Sequence, residues 1–147
     1  MRGIKMNKIL KLSVGLFTLM IAPALAANVI IPSKISKDEV AGKIFERDTM
    51  IKEESGALDV RTMLSSDRKF DSGMYQAGAS RFEIDDAYGV DEFMYFLKGS
   101  VTLTSADGSV QVINAGEAVT IPKEWTGVWE TEGYTKIYVI YYPEPVE

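Results

Sequence analysis

The chain contains no cysteine and no histidine. Without cysteine there is no disulfide, no thiol nucleophile, no iron–sulfur cluster and no thiolate zinc site. Without histidine there is no Ser-His-Asp machinery, no imidazole-ligated zinc or iron, and no imidazole acid–base pair. Positive charge is also scarce, with 16 Lys+Arg against 21 Asp+Glu. A surplus of acid is repelled by phosphate backbones and anionic lipid, so neither a nucleic-acid partner nor a membrane-surface partner is expected. What remains is 147 residues, 46% hydrophobic and 25% charged, the composition of one folded domain rather than a disordered tail or a multi-pass membrane protein.

Long apolar runs are nearly missing as well. The clearest is Leu12–Ala22, about 11 residues, against the roughly 18–20 that a membrane-spanning helix needs. Arg2, Lys5, Lys8 and Lys11 precede it, and Pro23 and the small-residue triplet Ala24-Leu25-Ala26 follow. This order of basic, apolar and small residues predicts a secretory signal peptide over residues 1–26, cleaved after Ala26. The expected location is therefore periplasmic or secreted, with no membrane attachment after cleavage. Removal leaves 121 of the 147 residues. With four cations and no anions gone, the net charge moves from −5 to −9.

Residues 27–72 are expected to form an N-terminal arm, a short helix and the first strands. Ser36-Lys37-Asp38-Glu39 has the Ser-x-x-Glu form of a capping box, followed by Val40, Ala41, Ile44 and Phe45 at helical spacing. The spacing predicts a helix over 37–47, with a strand across 43–47 as the alternative. Glu53, Glu54, Ser55 and Gly56 read as an exposed charged turn, and 58–64 as weak strand or loop. Beyond residue 73 the pattern changes to short runs rich in β-branched and aromatic residues. These are 74–76, 81–84, 92–97, 101–104, 110–113, 118–121, 127–130 and 136–142. Gly73, Gly78, Gly89, Gly99, Asp107-Gly108, Ala115-Gly116, Pro122 and Gly133 separate them. Short strands at this spacing predict an antiparallel sandwich or barrel, with a tight hairpin at Asp107-Gly108. Residues 143–147 form a polar tail.

Two spacings within this region carry a resemblance. Glu92 is followed after six residues by Gly99, and Gly116 after five residues by Pro122. Acid-x6-Gly followed by Gly-x5-Pro resembles the paired motifs of the cupin family. Asp91-Glu92-Phe93, the stretch 97–103, 127–130 and 136–139 are similar to a small cupin subfamily. That subfamily includes the cupin domain of ureidoglycine aminohydrolase and the ethanolamine-utilisation cupins. The resemblance implies an all-β, double-stranded β-helix (jelly-roll) barrel over 73–142, with Glu92 pointing into the lumen. Metal-binding cupins carry two histidines shortly before the acid and one in the second motif. Those positions here are Asp86, Tyr88 and Gly127, and Glu124 replaces a usual glycine. A donor set reduced to carboxylate oxygen gives no reason to expect a bound metal or another cofactor.

If Glu92 faces the lumen, strand alternation carries Met94 and Phe96 with it and sends Phe93, Tyr95 and Leu97 to the other face. Gly127 and Trp129 share a face, Gly127 leaving a space that Trp129 can partly fill. Lys136, Tyr138 and Ile140 share a face on the last strand. The candidate ligand-binding set is thus Tyr88, Glu92, Met94, Phe96, Trp129, Lys136 and Tyr138, an apolar lumen with a few polar tips. A carboxylate in such a place must be paired, hydrogen-bonded or protonated. Lys136, Arg81, Tyr88 and Tyr138 are the candidate partners for Glu92. The same Glu92 is the candidate general acid or base. Asp85-Asp86 reads as a solvated pair near the barrel mouth, and Trp125 as a rim or interface residue. Phe93, Tyr95 and Tyr141 on the outer face fit a homodimer. Three functions remain open. The first is an exported protein binding a small, neutral or cationic organic ligand without a His-ligated metal. The second is a metal-independent enzyme, related to ureidoglycine aminohydrolase or a small isomerase, using Glu92. The third is an accessory protein whose barrel is simply packed.

Overall fold

Seven antiparallel strands make up just over half of the described residues, and three of them are unusually long. The structure is a computed structural model that describes residues 30–147. Pro32–Glu147 form one compact unit. The expected signal peptide of residues 1–26 lies outside the described residues. No helix among the described residues is long and apolar enough to cross a membrane.

The strands are β1 (Ile51–Lys52), β2 (Leu58–Leu64), β3 (Phe70–Ile84), β4 (Asp91–Ser105), β5 (Val110–Asn114), β6 (Ala118–Ile121) and β7 (Gly127–Tyr141). Their order is β1-β2-β3-β7-β4-β5, with β6 also paired to β4. The first half of β4 lies between β6 and β7, and its second half between β5 and β7. The expected hairpin joins β4 to β5. Asp107 Oδ1 accepts from the Ser109 N–H at 2.9 Å, and the Gly108 N–H donates to the Ser105 carbonyl.

The glycines expected to separate strands correct the sequence reading at four places, the first being Gly73, which lies inside β3. Gly78, Gly99 and Gly133 lie inside β3, β4 and β7 rather than between shorter strands. Gly78 pairs with Gly133, and Gly133 with Ser100 beside Gly99, so the three form a line across neighbouring strands. Gly99 has φ +67° and Gly133 φ +128°, conformations that residues with a Cβ rarely adopt. A Cβ at Gly99 would collide with the Gly133 carbonyl oxygen. Each long strand is thereby read in the sequence as two short ones.

The expected helix over 37–47 is also corrected. The Ser36 capping box forms: the Ser36 N–H donates to Glu39 at 2.8 Å, and the Glu39 N–H donates to the Ser36 hydroxyl. The α-helix, α1, stops at Val40, and a 3-10 turn follows at Lys43–Glu46. Gly42, at φ +131°, separates the two. The 3-10 turn drives Ile44 onto Val60 and Met74, so this segment covers part of the sheet's outer face. Phe93, Tyr95 and Tyr141 remain exposed on that face. The inner face holds the main core of Met94, Phe96, Val101, Leu103, Ile113, Ile121, Trp129, Tyr134 and Tyr138.

Candidate functional site

Strand alternation places Glu92, Met94 and Phe96 inward and Asp91, Phe93 and Tyr95 outward on β4. Across the ladder, Glu92 faces Ile140 of β7, which in turn faces Asp71 of β3. Lys136, Tyr138 and Ile140 therefore point to the same interior. They line an open cavity of about 790 Å³ together with Glu92, Tyr88 and Trp129. Met94 and Phe96 are placed differently from the sequence expectation. Both are fully buried in the core and do not line the cavity. The alternation that turns them inward also carries them under neighbouring rings, Phe96 meeting Tyr134 edge-on at 5.3 Å.

Glu92 and Lys136 form a buried ion pair, Nζ to Oε1 at 2.7 Å, with side chains only 3% and 8% exposed. The Tyr88 hydroxyl donates to Glu92 Oε2 at 2.5 Å. Burial, then the adjacent Glu92 charge, pushes the Tyr88 phenol well above its ordinary value, so it remains a donor. The Lys136 ammonium also donates to Met94 Sδ at 3.1 Å. It lies 5.4–5.8 Å from the ring centroids of Trp129, Tyr75 and Tyr134. Aromatic rings at this range attract a cation through their quadrupoles. The other candidate partners of Glu92 are engaged elsewhere: Arg81 with Glu83, and Tyr138 with Asp59.

The loop after β3 holds Tyr88 in place. Its N–H donates to the Trp125 carbonyl at 2.9 Å, and the Gly89 N–H to that of Lys123 at 2.8 Å. Trp125 is half-buried, meets Tyr88 edge-on, and donates its indole N–H to Ser105 at 3.1 Å. The space expected beside Gly127 is filled by Trp125 and the β4 backbone at Thr104 and Ser105, not by Trp129. Asp85 and Asp86 lie along the cavity rim.

A second polar cluster on the cavity wall was not singled out in the sequence. Arg61 Nε pairs with Asp71 Oδ2 at 2.7 Å, and the Tyr142 hydroxyl donates to the same oxygen at 3.3 Å. The Tyr138 hydroxyl donates to Asp59 Oδ1 at 2.9 Å. Burial raises the carboxyls of both Asp59 and Asp71 above their ordinary values, opposed chiefly by the Tyr138 hydrogen bond at Asp59 and by the Arg61 charge at Asp71. Gly73 makes room for this arrangement, because a Cβ there would strike the Tyr138 ring and hydroxyl. The sequence signal was the alternation Asp59-Val60-Arg61. Its polar members face in and Val60 faces the outer core, the reverse of the usual pattern.

These residues do not suit the metal that many cupins hold. Of Asp86, Tyr88 and Gly127, the structure brings only Tyr88 to Glu92, as a phenol donor. An ammonium stands on the other carboxylate oxygen, and an ammonium cannot ligate a cation. Among the described residues no group of three or more Asp or Glu is placed to hold an ion.

The bent antiparallel strands and the inward acid define a cupin barrel. The chain belongs to the family of the EutQ-like cupin domain, whose pattern matches residues 64–138, half of its length. Solved structures show the same fold at low identity. A putative ethanolamine utilization protein Q from Salmonella typhimurium is 20% identical, with 61% of this chain and 72% of that one covered and a TM-score of 0.51. Ectoine synthase from P. lautus is 14% identical, with 79% and 80% covered and a TM-score of 0.57. An RmlC-like cupin from Shewanella frigidimarina is 13% identical, with 65% and 85% covered and a TM-score of 0.53. No curated protein matches the chain.

Proposed function

We propose that this cupin-domain protein is exported and binds a small organic cation in its barrel cavity without a His-ligated metal. The observation that carries the reading is the charge of the cavity wall. Seven carboxylates line it (Glu53, Asp59, Asp71, Glu83, Asp85, Asp86 and Glu92) against two cations, Arg61 and Lys136. Both cations are already paired with acids. An entering cation meets uncompensated negative charge, and an entering anion meets repulsion. Tyr75, Tyr134 and Trp129 already surround one ammonium, that of Lys136, which supports the choice of a cation. The volume falls within the roughly 300–1,000 Å³ of small-molecule sites. An open cavity of this size weighs against a barrel that is simply packed.

The test is a thermal-shift series with organic ammonium ions and carboxylates of matched size. A ligand at 100 times its Kd stabilises by about 2.7 kcal/mol. The ammonium ions are expected to raise the melting temperature and the carboxylates to leave it unchanged. Stabilisation by the carboxylates alone would remove the reading.

One observation favours a second reading, a metal-independent enzyme. Tyr88, Glu92 and Lys136 form a continuous hydrogen-bonded chain, and a carboxylate between two donors can pass a proton. On that reading Glu92→Gln abolishes turnover of any substrate found while leaving its binding largely in place. An unchanged rate would take Glu92 out of the chemistry.

A further inference from the structure

Three carboxylates point inward from the strands, Asp59, Asp71 and Glu92, and they differ in what they have left to offer. Both Glu92 oxygens are taken, Oε1 by Lys136 and Oε2 by Tyr88. Asp71 is 1% exposed, and its Oδ2 accepts from Arg61 and Tyr142. Its Oδ1 is buried and has no hydrogen-bond partner. A buried carboxylate oxygen without a donor is costly, and native proteins rarely leave one so. Two acids, Asp59 and Asp71, face one cation here, Arg61. Asp71 belongs to the cavity wall, so the missing donor can arrive with a ligand.

We infer that Asp71 Oδ1 is the anchor for the ligand's charged head, and that this head is an ammonium still carrying an N–H. The inference rests on the reading of the cavity as an organic-cation site and sharpens it to primary and secondary amines. Aromatic rings alone would accept a quaternary ammonium equally well, since the attraction is to charge. A quaternary head has no hydrogen to give, and would leave the buried Oδ1 unpaired. A site built to hydrogen-bond a ligand rejects the analogue lacking the donor far more strongly than it rejects a change of size. The register sets the distance from the Lys136–Glu92 pair. Asp71 and Glu92 flank Ile140 on neighbouring strands, so their backbones lie roughly 10 Å apart. The ligand's head therefore docks across β7 from the ion pair, with Ile140 between.

The probes are benzylammonium and benzyltrimethylammonium, equal in charge and ring and different only in the N–H. Calorimetric titration of the purified protein is expected to give at least tenfold tighter binding of benzylammonium. Asp71→Asn is expected to bring that ratio toward one while changing benzyltrimethylammonium binding less than threefold. A crystal of the wild-type protein with benzylammonium gives an answer that does not depend on the variant folding. The amine nitrogen is expected within hydrogen-bond distance of Asp71 Oδ1. Equal binding of the two probes by the wild type, or a water on Oδ1 with the nitrogen elsewhere, would overturn the anchor and leave the cation site standing. Failure of both probes to bind would overturn the cation site and the anchor with it.

Discussion

Lys136 and Glu92 are each other's solvent. Moving a carboxylate and an ammonium out of water costs several kcal/mol apiece, and the 2.7 Å contact offsets it only while both partners are present. Glu92→Gln strands the ammonium and Lys136→Met strands the carboxylate. Each is expected to destabilise the protein by roughly 3–5 kcal/mol. The double variant removes both charges, and is expected to recover most of that loss in a urea-unfolding cycle. Additive losses would mean that the two side chains do not act as a pair.

At Asp59 the sign of the pH effect runs opposite to ordinary acid unfolding. Burial raises its folded-state carboxyl above the unfolded value, so the folded protein holds that proton more tightly. Stability then falls as pH rises through the folded value, because the chain must ionise a buried group. Asp59→Asn removes the charge and can still accept from Tyr138. Its melting temperature is expected to gain on the wild type as pH rises from the ordinary carboxyl value of 3.8 through the raised folded value. A variant that loses ground over that interval would contradict the assignment. The cupin resemblance made Glu92 legible in the sequence as an inward residue, and period-two alternation put Lys136 and Tyr138 on one shared face. Asp59, Arg61 and Asp71 were not legible, because a short charged stretch between turn signals reads as solvated loop. Only the register of β2 on β3 shows that these polar groups face inward.

At the scale of elements, the line Gly78–Gly133–Gly99 lets three 15-residue strands run unbroken through both halves of the barrel. Its members are not equivalent. A methyl group at Gly99 would meet the Gly133 carbonyl in a backbone conformation that alanine avoids, whereas one at Gly78 would meet nothing within 4 Å. Gly99→Ala is expected to cost roughly 3 kcal/mol or more, and Gly78→Ala about 0.5 kcal/mol or less, by chemical denaturation. Equal costs would mean that the strands do not cross as described. In the sequence Gly99 and Gly133 carry the same signature as loop glycines, because all of these answer a need for unusual backbone angles. Strand identity and the Asp107-Gly108 hairpin were therefore legible, while strand continuity was not. Gly42 acted in the same way on the helix expected over 37–47, ending it after one turn.

Across the whole molecule, the barrel keeps the acid of its family but surrounds it with a lysine, a tyrosine and aromatic rings in place of imidazoles. The fold was readable because two motif spacings and the strand rhythm agree with each other. The cavity's charge was not, since it comes from side chains on β2, β3, β4 and two loops that only the sheet order brings together. The central claim is that an acidic, ring-lined cavity takes an organic cation unaided by metal. Its most direct test is calorimetric titration of chelator-treated protein with benzylammonium. One site filled per chain, with the same affinity before and after chelation, is the predicted result. Binding that vanishes on chelation and returns with manganese, nickel or iron would contradict it.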